Sequence, residues 1–212
     1  MTLSDFQRRT LQLARKAPRA FREWARLVRE SESVYNNDRV VHCSVKGHEV
    51  AARFGEFVRE RARGMLLDIG CGPQPVPLYL EGYPLDWIAG VDPIEADHPF
   101  EFRRGVCESL PWPDDTFDVV TCATSFDHLV LPHQGAAEVA RVLKPGRSFL
   151  LWEESLKEAK TYNPHSEKVE RVDNYHLYRF SGQMLYEVFG PHFILKDAEG
   201  NFGHFVSLKG VR

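Results

Sequence analysis

Two carboxylates, each closing a short apolar run, are the first residues in this chain whose type and spacing suggest chemistry. Asp68 lies in the run Met65–Ile69 and is followed directly by Gly70-Cys71-Gly72. Glycines in such a turn let the backbone bend sharply and approach a ligand closely, and the N–H groups of a helix starting near Pro75 or Val76 would favour an anion. Asp92 closes the next run, Trp87–Val91. A carboxylate there can accept both hydroxyls of a ribose in an adenosine-binding crevice. A dinucleotide pyrophosphate fits poorly. Asp68 stands just before the glycines, and the third glycine of the G-x-G-x-x-G fingerprint is replaced by Pro75.

A second group lies further along. His128 ends Thr124-Ser125-Phe126-Asp127-His128, just after a third apolar run, Phe117–Ala123. An imidazole titrates near 6.5 when unperturbed, so His128 is the first candidate for taking up a proton at neutral pH, against the plainer role of packing within the loop. Asp127 reads either as the group that orients this base or as a helix-start acceptor. Tyr162, His165, Tyr175, His176 and Tyr178 supply the aromatic walls and polar tips that substrate pockets use. Tyr162, His165, Tyr175 and His176 are therefore the expected substrate-binding residues. Glu153 and Glu154, after the run Phe149–Trp152, read as a pair of solvated carboxylates, and Lys46 as a solvated lysine.

These residues need elements to hold them. Short apolar runs with few polar interruptions suggest strands covered on both faces, as in a parallel sheet. Gly135–Leu143 reads as a helix whose Ala136, Val139, Ala140 and Leu143 share a face, stopped by Lys144-Pro145-Gly146. Strands alternating with helices imply a doubly wound α/β sheet. A further helix over Gly182–Phe189 and two strands near Phe193–Asp197 and His204–Leu208, separated by Glu199-Gly200-Asn201, predict a terminal hairpin that adds an antiparallel strand.

Composition narrows the class. The 212 residues fit one domain with at most a small appendage, and 43% hydrophobic with 27% charged residues is an ordinary globular balance. A formal net charge of −3 gives no reason to expect a nucleic-acid partner. No run approaches the roughly 20 apolar residues of a membrane span. Cys43, Cys71, Cys107 and Cys122 are scattered without a C-x-x-C pair, so no metal is expected and a reduced cytoplasm is the simple reading. Charge is concentrated at the start, where Arg8, Arg9, Arg15, Lys16, Arg19, Arg22, Arg26 and Arg29 face only Asp5, Glu23 and Glu30. Phe21, Trp24, Leu27 and Val28 recur at helical spacing, giving a basic amphipathic helix broken near Pro18.

Three stretches together resemble the class I S-adenosylmethionine-dependent methyltransferases, in their small-molecule branch. Leu66-Leu67-Asp68-Ile69-Gly70-Cys71-Gly72 is similar to that family's first motif. The second similarity runs over Glu108-Ser109-Leu110-Pro111-Trp112-Pro113-Asp114-Asp115-Thr116-Phe117-Asp118-Val119-Val120, and the third over Arg141-Val142-Leu143-Lys144-Pro145-Gly146. The resemblance implies a Rossmann-like, mostly parallel seven-stranded sheet with an antiparallel C-terminal strand and N-terminal helices. It implies a methyltransferase domain over 41–212, preceded by a basic helical extension or lid over 1–40. By the same resemblance, Asp68 and the backbone of Gly70, Cys71 and Gly72 would hold the methionine end of S-adenosylmethionine. Asp92 would hold the ribose, Ile94 would pack on the adenine, Cys107 and Glu108 would lie at its edge, and Ala123 and Thr124 would approach the sulfur. The chain departs from the family pattern at Gln74, where glycine is usual, and at Val106, where Asp or Asn accepts from the adenine amino group.

The expected function is methyl transfer to a small-molecule acceptor, oxygen favoured over nitrogen, with S-adenosylhomocysteine as co-product and His128 as the catalytic residue. The expected partners are that acceptor and, in an assembly, a second copy of the chain as a homodimer. The rival reading is a non-catalytic protein of the same fold, binding a partner through its basic N-terminal helix.

Overall fold

The computed structural model describes residues 3–35, 48–155, 163–166, 171–172 and 176–210. Tyr162, Tyr175, Lys46 and Cys43, all singled out above, lie outside the described residues. The chain opens with helix α1, Asp5–Lys16, whose N-terminus Ser4 and Gln7 close with a reciprocal capping box. Ala17 breaks it, and α2, Pro18–Tyr35, restarts with proline at its first position, where the missing N–H costs nothing. The bend near Pro18 is therefore a boundary between two helices. Leu13, Ala17, Ala20, Trp24 and Leu27 are buried in the same apolar cluster as the sheet residues Leu67, Ile69, Val120 and Phe149. The N-terminal helices thus help to close the main core.

Helix α3, Glu49–Arg61, covers the opposite face, packing Phe54, Phe57 and Val58 on Leu66, Ile88, Leu150 and Trp152. Between these layers lie β1, Leu66–Ile69; β2, Ile88–Asp92; β3, Glu101–Arg104; β4, Phe117–Ala123; and β5, Leu143–Trp152. Helix α4, Pro132–Val142, joins β4 to β5, and α5, Gly182–Phe189, precedes the hairpin of β6, Phe193–Glu199, and β7, Phe202–Ser207. The seven-stranded sheet has the order β3-β2-β1-β4-β5-β7-β6, with β1 to β5 parallel and β7 antiparallel to both β5 and β6. This is the doubly wound sheet with an antiparallel C-terminal strand expected above. Its strand order reverses between β1 and β4, so a crevice opens beyond their C-terminal ends.

Two features differ from expectation. No helix follows the glycine turn. The chain bends through Pro73, Pro75 and Pro77 and forms only a 3-10 turn, Leu78–Leu80. A residue before proline is pushed out of the helical region, so Gln74 and Val76 are both blocked. Strand β3 is an edge strand with alternating charge, Glu101-Phe102-Arg103-Arg104, and largely exposed, so it gave no apolar run to read. Among the described residues no helix is long and apolar enough to cross a membrane.

Candidate active site

The glycine turn is held by its backbone. Gly70 and Gly72 adopt φ of 71° and 68°, a region that side chains disfavour. A Cβ on Gly70 would also collide with the Ser125 side chain, which caps the end of β4 next door. The Gly70 N–H donates to the Val91 carbonyl at 2.8 Å, and the Gly72 N–H donates to Asp92 Oδ2 at 3.0 Å. The other Asp92 oxygen accepts from the Ile94 N–H at 2.8 Å. One buried carboxylate therefore ties the β1 turn to the β2 turn. Burial pushes the Asp92 pKa up to about 6, against the lowering pull of those two N–H donors and of Arg104.

Asp68 is enclosed more completely. It is fully buried, accepting from the Tyr79 hydroxyl at 2.9 Å and from the Thr121 hydroxyl at 2.7 Å. Burial raises its pKa to about 7 despite both donors. It links β1, β4 and the 3-10 turn from beneath the glycines. Cys71 is also buried, its Sγ 3.8 Å from His98 Nε2, while His98 Nδ1 lies 3.1 Å from the Pro75 carbonyl. Ile94 is buried just past the Asp92 turn.

The β3–β4 loop brings in Cys107 and Glu108. Cys107 Sγ lies 3.8 Å from the Gly135 carbonyl, and Glu108 Oε1 accepts from the N–H groups of Val130 and Leu131 at 2.7 and 3.1 Å. Glu108 thus secures the chain just before α4. On the other side of the crevice Ala123 is buried, and Thr124 takes a left-handed φ of 51° while its N–H donates to the Trp152 carbonyl at 2.7 Å. A threonine in that region carries backbone strain, and here it lies at the mouth of the crevice.

Immediately after Thr124, a 3-10 turn Phe126–His128 drops Asp127 into the protein, 1% exposed, and leaves the His128 side chain 33% exposed. Asp127 is a hub. Its Oδ1 lies 3.5 Å from His128 Nε2, its Oδ2 lies 3.6 Å from His176 Nε2, and Oδ2 accepts from Arg179 at 3.1 Å. The two imidazole rings are 4.9 Å apart. Beside Asp127 sits Glu153, also buried, whose pKa burial and the neighbouring Asp127 charge push well up. Glu153 is therefore not solvated as its sequence position suggested, because it continues the buried end of β5; Glu154 is. Tyr178 anchors the segment by donating to the Phe126 carbonyl.

The structure thus brings His128 and His176 together and places His165 elsewhere. His165 is exposed in the turn Asn163–Ser166, which Arg19 of α2 holds through the Ser166 carbonyl. Sequence reasoning missed Arg179, Tyr79 and Thr121 and misread Glu153. Only Glu153 carried a usable signal, being the first residue beyond a fully apolar strand end.

Known proteins resemble this chain in sequence and in fold. Residues 67–151 match the family model described as a methyltransferase domain. An uncharacterised methyltransferase, YcgJ of Bacillus subtilis, is 38% identical over 104 residues, covering 43% of this chain and 41% of that one. A crystal structure of YcgJ superposes with a TM-score of 0.52 at 26% identity, covering 69% of this chain and 70% of that one. The ubiquinone/menaquinone biosynthesis C-methyltransferase UbiE of Geobacter sulfurreducens is 31% identical over 159 residues, 66% of this chain and 59% of that one. A Burkholderia thailandensis 1,6-didemethyltoxoflavin-N1-methyltransferase, solved with that compound and S-adenosylhomocysteine, shares the fold with a TM-score of 0.61 at 18% identity, covering 88% of each chain. The chain spans about half the length of the curated relatives it matches. Residues 67–151 are a methyltransferase domain, and the chain is related in sequence and fold to the class I S-adenosylmethionine-dependent methyltransferases.

Proposed function

We propose that this chain transfers a methyl group from S-adenosylmethionine to a small acceptor, at oxygen in preference to nitrogen. The observation that supports this best is that two unlike groups follow the C-terminal ends of neighbouring parallel strands. Asp92 and the glycine turn follow β2 and β1, and His128, backed by buried Asp127, follows β4.

The cofactor suits the first group. A carboxylate offers about four lone-pair sites, so each Asp92 oxygen retains acceptor capacity for a ribose hydroxyl beyond the one N–H it now receives. Gly70 and Gly72 leave the turn without side chains, Ile94 offers an apolar surface to the adenine, and Val106 offers that base no acceptor. Bound there, S-adenosylmethionine supplies an electrophilic methyl on a sulfonium. The protein's own work is to align the acceptor with that methyl and exclude water. His128 takes the acceptor's proton at Nδ1, and Asp127, facing Nε2, orients the ring and stabilises the imidazolium. Asp68, closed off by Tyr79 and Thr121, serves the turn from below.

The C-methyltransferase name of UbiE favours a second acceptor atom, carbon. A carbon nucleophile formed by loss of a proton would draw on the same base, His128. Calorimetric titration with S-adenosylmethionine and S-adenosylhomocysteine tests the foundation. Binding of both near micromolar supports a working transferase. Absence of both transfers the lead to a non-catalytic protein acting through its basic N-terminal helices.

A further inference from the structure

Asp127, His128 and His176 form a cluster that proton transfer alone does not account for. They come from two separate parts of the chain, the turn after β4 and the segment before α5, and meet over a buried carboxylate. One ligand atom from each lies within 4.8 Å of the other two. Both imidazoles present Nε2 to the carboxylate, at 3.5 and 3.6 Å. These distances exceed the roughly 2.7–3.2 Å of an N–H···O hydrogen bond. The two imidazoles face different oxygens of the one carboxylate, and with one ligand atom from each residue within 4.8 Å of the others, rotation of the side chains would bring all three to bonds of about 2.0–2.2 Å on one ion. Two imidazoles and one carboxylate are a donor set that first-row divalent ions favour, and three protein ligands leave positions open for a substrate.

The surroundings suit that use. Arg179 fixes the carboxylate through Oδ2 at 3.1 Å and lies 3.9 Å from Glu154, so its charge is shared with a second acid. Glu153 is 3% exposed and packs beside Asp127, and its Oε2 finds no hydrogen-bond partner among the described residues. Ligating carboxylates are commonly supported in this way by a second polar layer. His128 is 33% exposed and His176 16%, so solvent reaches the cluster.

We propose that Asp127, His128 and His176 bind a divalent transition ion of the zinc or cobalt type, which holds the oxygen of the methyl acceptor. The consequence for catalysis rests on the methyltransferase reading above; ion binding does not. A hydroxyl coordinated to such an ion has a lowered pKa, so its O–H bond breaks with the proton leaving to water and the oxygen remaining as the nucleophile. His128 then contributes as a ligand, and the acceptor is an alcohol or phenol able to reach the ion.

The test uses the tag-free, chelator-treated full chain. Co2+ is titrated in by visible absorption and Zn2+ by calorimetry, and S-adenosylhomocysteine binding is measured on the same sample. One ion per chain, with visible Co2+ bands of low coordination number, is expected, and His176→Ala should weaken binding about a hundredfold. His176→Ala removes a partly exposed ring, so the fold should survive it; unchanged S-adenosylhomocysteine binding checks this. If substitution of Asp127 by Asn unfolds the chain, His128→Ala serves as the second variant. No binding, or binding equally strong in His128→Ala and His176→Ala, overturns the proposal. Ion binding without S-adenosylhomocysteine binding would instead sink the transferase reading and leave the metal site standing.

Discussion

The glycine turn and the Asp127 cluster are built on different principles. The turn, the proposed cofactor side, is made of backbone: two left-handed glycines, N–H groups donated to one carboxylate, and no helix behind it. The cluster, the proposed acceptor side, is made of side chains from distant segments, with Asp127 gathering His128, His176 and Arg179 beside Glu153. A backbone site is specified by a few consecutive residues and tolerates little change at them. A side-chain site can exchange members while its frame persists. The first arrangement suits a ligand common to a whole family, and the second suits an acceptor that differs between relatives.

That contrast can be broken by substitution. His128→Ala should lower turnover by about 10²–10⁴-fold with the cofactor dissociation constant almost unchanged; steady-state kinetics with calorimetry separate the two, and equal turnover would remove His128 from the chemistry. Gly70→Ala should do the reverse. Left-handed strain and the Ser125 collision together cost about 2–4 kcal/mol of stability in denaturant melts, and cofactor binding should be lost with it. Asp92→Ala should leave the fold intact and weaken cofactor binding by about 1.5–3 kcal/mol or more, the worth of hydrogen bonds to a charged group. Wild-type affinity in that variant would put the ribose elsewhere. Tyr79→Phe, which leaves one Asp68 oxygen without its donor, should cost about 1–3 kcal/mol of stability with little effect on turnover.

Acidity sharpens the same comparison. Asp92 and Asp68 have pKa values raised from 3.8 to about 6 and about 7, so each favours its protonated form when folded. The stability this gives is complete below about 3.8 and is lost as pH rises through 6 to 7. Ribose binding needs ionised Asp92, so cofactor affinity should rise over the window in which stability falls. Parallel melts and titrations from pH 5 to pH 8, on the order of a unit apart, read both slopes. Slopes of the same sign would show that Asp92 does not face the ribose.

The legibility of the molecule follows the same division. The sheet was readable because β1, β2, β4 and β5 are buried on both faces and leave continuous apolar runs, whereas exposed β3 leaves none. The glycine turn and Asp92 were readable because their geometry is local, although the weight placed on the glycines overrode the three prolines that rule out a helix there. The acceptor side was readable only in fragments. His128 and His176 each stood out, but nothing in the order of residues shows that one aspartate lies beneath both, or that Glu153 is turned inward. Contacts between distant segments leave no periodicity to detect.

The N-terminal helices carry one more consequence. Arg9 of α1 donates to the carbonyls of Ser109 and Leu110 and to the Ser109 hydroxyl, and Lys16 donates to Gln134, which in turn donates to the Glu108 carbonyl. At the end of α1, Ala17 passes directly into α2, whose Arg19 grips the Ser166 turn. The two N-terminal helices are therefore tied at once to the Ser109–Leu110 loop, to the start of α4 and to the Ser166 turn, while their apolar faces sit in the main core, so loosening them would cost the domain both buried apolar surface and these polar ties.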